Sequence, residues 1–320
     1  MIGEDIEKYS ILVSEAIDEY LPIDQPKGLY EASRYLVEAG GKRLRPVMLL
    51  LAADAVGAEA KKLLSAALSI ELIHNFTLIH DDIMDNAELR RGKQAVHMIW
   101  GISGAILAGD TLYSKAFQTL GMTPVEAGRL IAAMNVLSRT ATYICEGQWM
   151  DLEFEARDDV SEIEYMTMIE KKTGVLYGAS ASMGALLSGA SEEVVSRLDQ
   201  FGRLTGMGFQ IQDDVLDLTT STSILGKKRG GDLIEGKKTL VIIHAKEHGV
   251  KLDVFGKKDA PQEEIEAALK ILQKSGSIDY ARAKAEALVE RGKNALNVLP
   301  DSHAKALMQN LADYMIYRKY

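Results

Sequence analysis

The chain has 320 residues, 47% of them hydrophobic and 26% charged, a composition typical of a globular protein with a sizeable buried core. Its formal net charge of −9 argues against a nucleic-acid-binding protein, whose affinity would rest on a clustered basic surface. Any anionic ligand must therefore be bound by local groups of cationic residues.

The start of the chain and its cysteine content predict a cytoplasmic protein. The first ten residues, MIGEDIEKYS, lack the charged and then apolar pattern of a secretory signal, and no membrane anchor is predicted. The single cysteine, Cys145, excludes a disulfide framework. Because it lies within a helical segment, it is predicted to be a small core residue.

The elements along the chain are predicted to be helices. Apolar residues recur at helical spacing almost everywhere, as between Leu63 and Ile73, and alternating strand-like stretches are scarce. Most prolines fall where a helix should start or stop, namely Pro22, Pro26, Pro124, Pro261 and Pro300. No flexible or low-complexity linker divides the sequence. We therefore predict an all-α protein with roughly ten or more helices, forming one domain over residues 1–320.

The longest uncharged run, Thr173 to Ser191, is long enough to raise the possibility of a membrane span. Its glycines, serines and threonine make it too polar for that environment. We predict instead a buried helix whose small residues allow close packing against neighbouring helices.

One motif occurs twice, each time after an apolar helical run. The two copies of D-D-x-x-D comprise Asp81, Asp82 and Asp85, and then Asp213, Asp214 and Asp217. On a helix these positions fall close to one face, so each copy should gather three carboxylates within one turn. Such oxygen ligands suit Mg²⁺, which keeps several waters and completes its shell with substrate phosphates. The repeated motif therefore predicts a magnesium-dependent enzyme with a phosphate-bearing substrate.

Basic residues form short clusters beside glycines. They are Lys42, Arg43 and Arg45 in GGKRLRP, Arg90 and Arg91 in RRG, Lys171 and Lys172 in EKKTG, and Lys227, Lys228, Arg229, Lys237 and Lys238 in GKKRGGDLIEGKKT. In an acidic protein such clusters favour the binding of a compact polyanion, with arginine forks matched to phosphate oxygens. Solvated surface lysines are the competing interpretation, chiefly for Lys228 and Lys238.

The order of these motifs resembles that of the short-chain trans-polyprenyl diphosphate synthases, most closely the archaeal-type geranylgeranyl diphosphate synthases, over nearly the whole chain. The resemblance implies an isoprenoid-synthase bundle of helices around a deep central cavity. It implies two aspartate motifs facing each other across the cavity mouth, and a homodimer. It also implies head-to-tail condensation of isopentenyl diphosphate with an allylic diphosphate, which ionises with the help of Mg²⁺ to a carbocation.

The resemblance assigns a role to each site residue. About three Mg²⁺ ions would be held, with substrate bound, by Asp81, Asp82, Asp85, Asp213, Asp214 and Asp217. The allylic diphosphate would be bound by Arg90, Lys172, Lys227 and Lys237, which with Asp81, Asp82, Asp85, Asp213 and Asp214 form the predicted catalytic set. Isopentenyl diphosphate would be bound by Lys42, Arg45, His74 and Arg91. Polar positions facing the cation would be Gln210, Thr173 and Gln148, and Asp232 would orient the lysine loop.

Product length is predicted from the residues that precede the first aspartate motif. Phe76 and Thr77 should point down the apolar channel that holds the growing chain, and Phe76 lies five positions before Asp81. A bulky aromatic there is similar to the arrangement in archaeal geranylgeranyl diphosphate synthases. The resemblance therefore implies a twenty-carbon product.

Several alternatives remain open at this stage. Phe76 could be core packing, and the product could be farnesyl diphosphate or a mixture of fifteen- and twenty-carbon chains. A non-catalytic partner subunit of a heteromeric synthase, or a terpene cyclase or head-to-head condensing relative, is disfavoured by the complete motif set. The terminal residues Tyr317, Arg318, Lys319 and Tyr320 resemble the family's basic tail that closes over the site, and fraying of this terminus is the alternative.

Overall fold

The structure is a computed structural model that describes residues 3–220 and 229–317. Its helices are α1 (Glu4–Glu15), α2 (Ile17–Tyr20), α3 (Lys27–Glu38), α4 (Leu44–Ala55), α5 (Leu64–Met84), α6 (Val96–Gly121), α7 (Ala127–Glu155), α8 (Glu162–Ile169), α9 (Val175–Leu187), α10 (Glu192–Thr219), α11 (Gly231–Glu235), α12 (Leu240–Glu247), α13 (Gln262–Lys274), α14 (Ser277–Ala295) and α15 (His303–Tyr317). Two 3₁₀ turns (Ala60–Leu63 and Leu296–Val298), a π-helical turn (Glu170–Gly174) and strands β1 (Leu89–Arg90) and β2 (Lys93–Gln94) complete the elements. The all-α prediction is confirmed.

The chain divides into two compact units. The first comprises Met1–Ala141, Ala179–Asp199 and Val298–Leu311, and the second comprises Thr142–Gly178, Gln200–Asn297 and Ala312–Tyr320. The single domain over residues 1–320 stays a prediction. Among the sequence-predicted site residues, Lys227 lies outside the described residues, as do Lys228 and the tail residues Arg318 to Tyr320.

Helix α5 is the centre of the first unit. Its buried side chains run from Ser65 to Asp82, and α1, α3, α4 and α6 pack around it. Within the described part of the chain, Ala60–Met84 is the segment that is long and apolar enough to cross a membrane, but 67% of its apolar window is buried inside the protein. A helix that is apolar on all sides and covered by other helices is a core helix.

A short hairpin follows α5 and orients the two arginines of RRG. Strands β1 and β2 pair antiparallel with Arg90 opposite Lys93, which leaves Arg91 and Gly92 as the two turn residues. Both turn residues have positive φ, 54° and 74°. This is the pattern of a type I′ turn, whose twist matches that of the flanking strands. The turn therefore fixes the backbone on either side of Arg91.

Helix α9 confirms the prediction of a buried, closely packed helix. Ser180 and Ser182 are buried. A Cβ atom added at Gly184 would lie 2.2 Å from the carbonyl oxygen of Leu49 and 2.9 Å from the Cβ of Ala52, both on α4. The absence of a side chain at this glycine is what lets the α9 and α4 backbones meet.

The prediction for Cys145 is wrong, because its side chain is exposed on α7. The buried positions on this part of the helix are Ala141, Ile144, Gly147 and Gln148, which follow one another at helical spacing. Cys145 falls beside that stripe rather than on it.

The second unit has its own apolar core, to which α8, α10, α12, α13 and α14 contribute. Helix α8 begins at a capping box: Ser161 Oγ accepts from the Glu164 N–H at 3.3 Å, and the Glu164 carboxylate accepts from the Ser161 N–H at 2.9 Å. This start leaves the next residue, Tyr165, facing the core, where it is 1% exposed.

Candidate active site

In the first unit, the three carboxylates of the first aspartate motif have different surroundings. Asp81 is half-buried, Asp82 is 1% exposed, and Asp85, which ends α5 as its C-cap residue, is exposed. Positions 81 and 85 lie one turn apart on the same face, whereas position 82 is rotated by about 100° toward the interior. Asp82 accepts a hydrogen bond of 2.7 Å from Nε of Arg90. Arg90 is thereby anchored beside the motif.

The surroundings of Asp82 fit a bound cation. Burial raises the pKa of its carboxyl group, the contact with Arg90 opposes that shift, and the charge of Asp85 adds to it. Its Oδ2 atom is buried and has no hydrogen-bond partner among the described residues. A buried carboxylate oxygen without a donor is costly, and a hard divalent cation is one group that could satisfy it.

Helix α5 also carries His74, which contacts Arg45 at the start of α4. Nη1 of Arg45 lies 3.1 Å from Nε2 of His74. Because arginine can only donate, this imidazole must accept at Nε2 and carry its proton on Nδ1. Burial, followed by the charges of Arg45, Arg91, Arg90 and Arg43, lowers the pKa of His74 well below its usual value. The imidazole is therefore neutral near pH 7.

Among the cationic residues near His74, Lys42, Arg45 and Arg91 reach solvent, whereas Arg43 is buried. Lys42 is exposed and Arg45 half-buried. Arg91 donates from Nη1 to the carbonyl oxygen of Leu36 at 3.0 Å and also to that of Gly40. Arg43 points inward: only 2% of its side chain is exposed, and it pairs with Glu71. The interpretation of Arg43 as a polyanion ligand is therefore wrong for this conformation, because its guanidinium group is turned away from solvent.

Phe76 belongs to a column of aromatic rings formed by α5 and α6. Its ring meets His80 edge-on at 4.8 Å between centroids and Tyr113 at 5.3 Å, and Tyr113 meets Phe117 at 5.2 Å. The neighbouring Thr77 donates its hydroxyl to the carbonyl oxygen of His74 at 2.8 Å. Phe76 is therefore backed by a second aromatic layer, which would resist displacement by an apolar ligand.

In the second unit, a cavity of about 120 Å³ contains most of the predicted site residues of that half. It is lined by Asp151, Tyr165, Met168, Ile169, Lys172, Thr173, Gln210, Asp214, Asp232, Lys237, Lys238 and Thr239. Lys172 and Thr173 are placed there by the π-helical turn Glu170–Gly174. Such turns frequently mark functional sites in helical proteins.

A chain of hydrogen bonds fixes Asp214 in this cavity. Tyr165 donates to one carboxylate oxygen at 2.7 Å, and Gln210 donates through Nε2 to the other at 2.9 Å. Thr173 in turn donates to Oε1 of Gln210 at 2.9 Å. Burial, together with the charges of Asp232 and Asp151, raises the pKa of Asp214 to about 7, although the hydrogen bonds from Tyr165 and Gln210 oppose this shift. These like charges in one cavity fit a bound cation.

The lysines of the cavity are oriented by carboxylates. Lys172 Nζ lies 2.6 Å from Asp151 Oδ2, and Lys237 Nζ lies 3.6 Å from Asp232 Oδ1. Lys238 also lines the cavity and donates to the carbonyl oxygen of Glu155 at 3.2 Å. The interpretation of Lys238 as a fully solvated lysine is therefore wrong.

Asp213, Asp217 and Gln148 are not among the residues that line this cavity. Asp213 is half-buried on α10. The Asp217 carboxylate accepts a 3.1 Å hydrogen bond from the Asp232 N–H and so connects α10 to the start of α11. Gln148 is buried on α7.

Over residues 3–220 and 229–317, no three His, Cys, Asp or Glu side chains form a ready-made metal site. Mg²⁺ commonly completes its coordination shell with oxygen ligands from substrate and water.

Sequence reasoning missed Tyr165, Asp151 and Glu71. Asp151 lies one turn before Glu155 in an ordinary polar helix, and Tyr165 is a single aromatic residue in an apolar run. Nothing in the sequence shows that they contact Asp214 and Lys172. Glu71 carried one usable signal: it is the single charged residue in the mostly apolar stretch from Leu63 to Ile73. A charge in such a position is seldom buried without a partner.

Comparisons with known proteins agree on one class of protein. Residues 26–272 match the family model described as polyprenyl synthetase. The chain is 56% identical to the geranylgeranyl diphosphate synthase of Methanosarcina mazei, over 99% of this chain and 98% of that protein. It is 47% identical to the geranylfarnesyl diphosphate synthase of Natronomonas pharaonis, over 97% of this chain and 95% of that protein.

The solved structures include the geranylgeranyl pyrophosphate synthetase of the archaeon Geoglobus acetivorans, with a TM-score of 0.94 and 47% identity, covering 98% of this chain and all of that one. The fold is thus the isoprenoid-synthase helical fold, and proteins of the prenyl synthase family act on isoprenyl diphosphate substrates. The chain belongs to the polyprenyl synthetase family and is a trans-prenyltransferase. Members of this family generally use a divalent metal.

Proposed function

We propose that this prenyltransferase condenses isopentenyl diphosphate head-to-tail with allylic diphosphates and releases geranylgeranyl diphosphate. The proposed product length is supported by the aromatic column of Phe76, Tyr113 and Phe117, which begins five residues before the first aspartate motif. An apolar chain growing along α5 would meet the Phe76 ring, and the Tyr113 ring behind it prevents a simple rotation out of the way. The 56% identity to a geranylgeranyl diphosphate synthase supports the same assignment.

The allylic diphosphate is assigned to Arg90, Lys172 and Lys237, with Lys227 as a further predicted ligand. Arg90 is fixed by Asp82, Lys172 by Asp151, and Lys237 by Asp232 and Glu235. Cations held in place before substrate arrives lose little conformational freedom on binding, so they stabilise the departing diphosphate without reorganising. Departure of the diphosphate breaks the allylic C–O bond and leaves a delocalised carbocation.

We assign Mg²⁺ to Asp81, Asp82, Asp85, Asp213, Asp214 and Asp217, with about three ions when substrate is bound. Bound Mg²⁺ supplies Lewis-acid stabilisation of the negative charge that develops on the leaving diphosphate. Hydrogen bonds from Tyr165 and Gln210 hold Asp214, so that both of its carboxylate oxygens are already oriented before a metal ion binds. Thr173 and Gln210 face the cavity and present polar groups to the carbocation and its leaving group.

Isopentenyl diphosphate is assigned to Lys42, Arg45, His74 and Arg91. These residues lie on the loop before α4, at the start of α4, on α5 and on the hairpin, all in the first unit. Burial and the charges of Arg43, Arg90 and Arg45 lower the pKa of Arg91, with Glu71 opposing the shift, as expected where several positive charges crowd together. The isopentenyl double bond attacks the carbocation, and the proton then lost passes to the released diphosphate, which requires no histidine base.

Substitution of Phe76 by alanine should lengthen the product. Removing the ring opens space at the closed end of the proposed channel, while Tyr113 limits the gain, so we expect twenty-five-carbon chains to join or replace twenty-carbon chains. The measurement is mass spectrometry of products made from farnesyl and isopentenyl diphosphates. Phe255→Ala, which removes an aromatic ring in the second unit, is the control and should leave the length unchanged. An unaltered product from Phe76→Ala would contradict the chain-length assignment.

The overall proposal is tested by incubating the purified protein with isopentenyl diphosphate, Mg²⁺ and dimethylallyl, geranyl or farnesyl diphosphate in separate reactions. Products that stop at twenty carbons and disappear on chelation would support it. Chains that stop at fifteen carbons would favour a farnesyl diphosphate synthase, and a mixture of both lengths a bifunctional one. Folded protein that is inactive with every primer would favour the non-catalytic subunit.

We also propose that the protein is a cytoplasmic homodimer in which the two units described above form one catalytic domain. The matched family region, residues 26–272, includes parts of both units. Ile102, Ile106 and Leu107 are exposed apolar residues on α6 after its break at Gly101, and exposed apolar patches of this kind commonly mark subunit interfaces. Sedimentation should give twice the chain mass of 35.1 kDa, whereas sedimentation at the single-chain mass would contradict the dimer.

A further inference from the structure

We propose that Arg43, Glu71 and Asn75 form a positioning group for the isopentenyl diphosphate site, which fixes the loop before α4 against α5. The inference rests on the proposed assignment of Arg45 and His74 to that diphosphate. Positioning residues here act through Arg45 and His74 and do not touch the substrate.

The three side chains form a buried hydrogen-bond network. Nη1 of Arg43 donates to Oε1 of Glu71 at 2.5 Å, and its Nη2 donates to the carbonyl oxygen of Val37. Asn75 donates to the same Oε1 at 2.9 Å and to the Glu71 carbonyl oxygen at 2.8 Å. The Arg43 and Glu71 side chains are each 2% exposed, and Asn75 is fully buried. The network therefore joins the end of α3, the loop and the middle of α5.

Arg43 has a backbone conformation that arginine rarely adopts. Its φ of 49° and ψ of 33° are left-handed, and it immediately precedes the first residue of α4. In this region the Cβ of an L-residue lies too close to the following carbonyl oxygen, so the conformation persists only where surrounding contacts enforce it. The hydrogen bonds to Glu71 and Val37 are the contacts that enforce it here.

Stability alone does not account for a charged pair in this position. Burying two charges carries a desolvation cost that their attraction often fails to recover, and apolar residues of similar size commonly stabilise a core more. The pair instead restricts the orientation of the loop, because a planar guanidinium bound to a carboxylate and a carbonyl group admits few alternative geometries. The loop is thereby fixed in one orientation.

The positioning group and the proposed diphosphate ligands alternate along the same two segments. Arg43 is two residues before Arg45 on the loop and α4, and His74 lies between Glu71 and Asn75 on α5. The 3.1 Å contact between Arg45 and His74 depends on how these segments are aligned. A change at Glu71 should therefore displace Arg45 relative to His74 while leaving Arg90 and the second unit unaffected.

Glu71→Gln tests this inference because it keeps the size of the side chain and an acceptor oxygen but removes the charge. We expect the KM for isopentenyl diphosphate to rise about tenfold, the change typical of weakening one charge-assisted hydrogen bond. The KM for the allylic diphosphate should change less than about twofold. Calorimetric titration with isopentenyl diphosphate alone should show the same tenfold weakening. Ile70→Val, a change at the adjacent, fully buried position on α5, is the control for general loosening and should alter neither constant.

Unchanged isopentenyl diphosphate affinity in folded Glu71→Gln, or an equal rise in both KM values, would overturn the inference. If that variant does not fold, Arg43→Lys tests the inference instead. Lysine keeps the charge but cannot bond Glu71 and Val37 in the same planar geometry. The KM for isopentenyl diphosphate should therefore rise, and the KM for the allylic diphosphate should not. A failure of the proposed function is distinguishable from these outcomes, because the unsubstituted protein would then make no prenyl product from isopentenyl diphosphate.

Discussion

Asp85→Asn is expected to lower kcat by about 10²- to 10³-fold while leaving the fold intact. Asp85 ends α5 as an exposed side chain, one turn from Asp81 on the same face. The substitution removes one negative oxygen ligand from the proposed metal site and changes little else. Because metal stabilisation acts mainly on charge that develops as the C–O bond breaks, kcat should fall more than KM rises.

The measurement is the rate of product formation over a range of Mg²⁺ concentrations, with thermal unfolding recorded in parallel. Activity of Asp85→Asn should need more Mg²⁺ for half-saturation, and its Tm should match that of the unsubstituted protein. Asp301→Asn is the matched control, since Asp301 is another exposed aspartate and pairs with Lys305 in the same chain segment. Full activity in Asp85→Asn at ordinary Mg²⁺ would contradict the assignment of the first motif.

Gly184→Ala is expected to destabilise the protein by about 3 kcal/mol, through overpacking between α9 and α4. The added Cβ would lie 2.2 Å from the carbonyl oxygen of Leu49. That atom belongs to the α4 backbone, so no side-chain rotation can relieve the contact and the two helices must separate. Alanine also gains about 1 kcal/mol in helix propensity over glycine, which offsets part of the loss but not most of it.

Thermal unfolding measures the effect, and a loss of this size in a chain of this length should lower Tm by about 5 °C. Gly28→Ala is the control because Gly28 lies in α3 with no atom within 4 Å of the added Cβ. There the propensity gain should act alone and raise the stability slightly. A Tm for Gly184→Ala equal to or above that of the unsubstituted protein would show that the helices can move apart at little cost.

The sequence by itself determined the helical class, the family resemblance and the residue types of the site. Helical periodicity is repeated in nearly every segment, so the all-α fold followed from local pattern alone. The aspartate and cationic motifs are short and contiguous, which is why Asp214 and Lys172 could be named without a structure. The small residues of Thr173 to Ser191 likewise predicted a closely packed helix, because their size limits how near two backbones can come.

Tertiary structure decided what each of these residues contacts. Arg43 and Arg45 look equivalent in GGKRLRP, yet a left-handed turn directs Arg43 to buried Glu71 and leaves Arg45 beside His74. Asp82 looks like its neighbour Asp81 but is turned inward to Arg90. Tyr165 is 49 positions from Asp214 in the chain and donates to it directly. Sequence pattern reports the side of a helix on which a residue lies, whereas its partner depends on which other segment folds against that side.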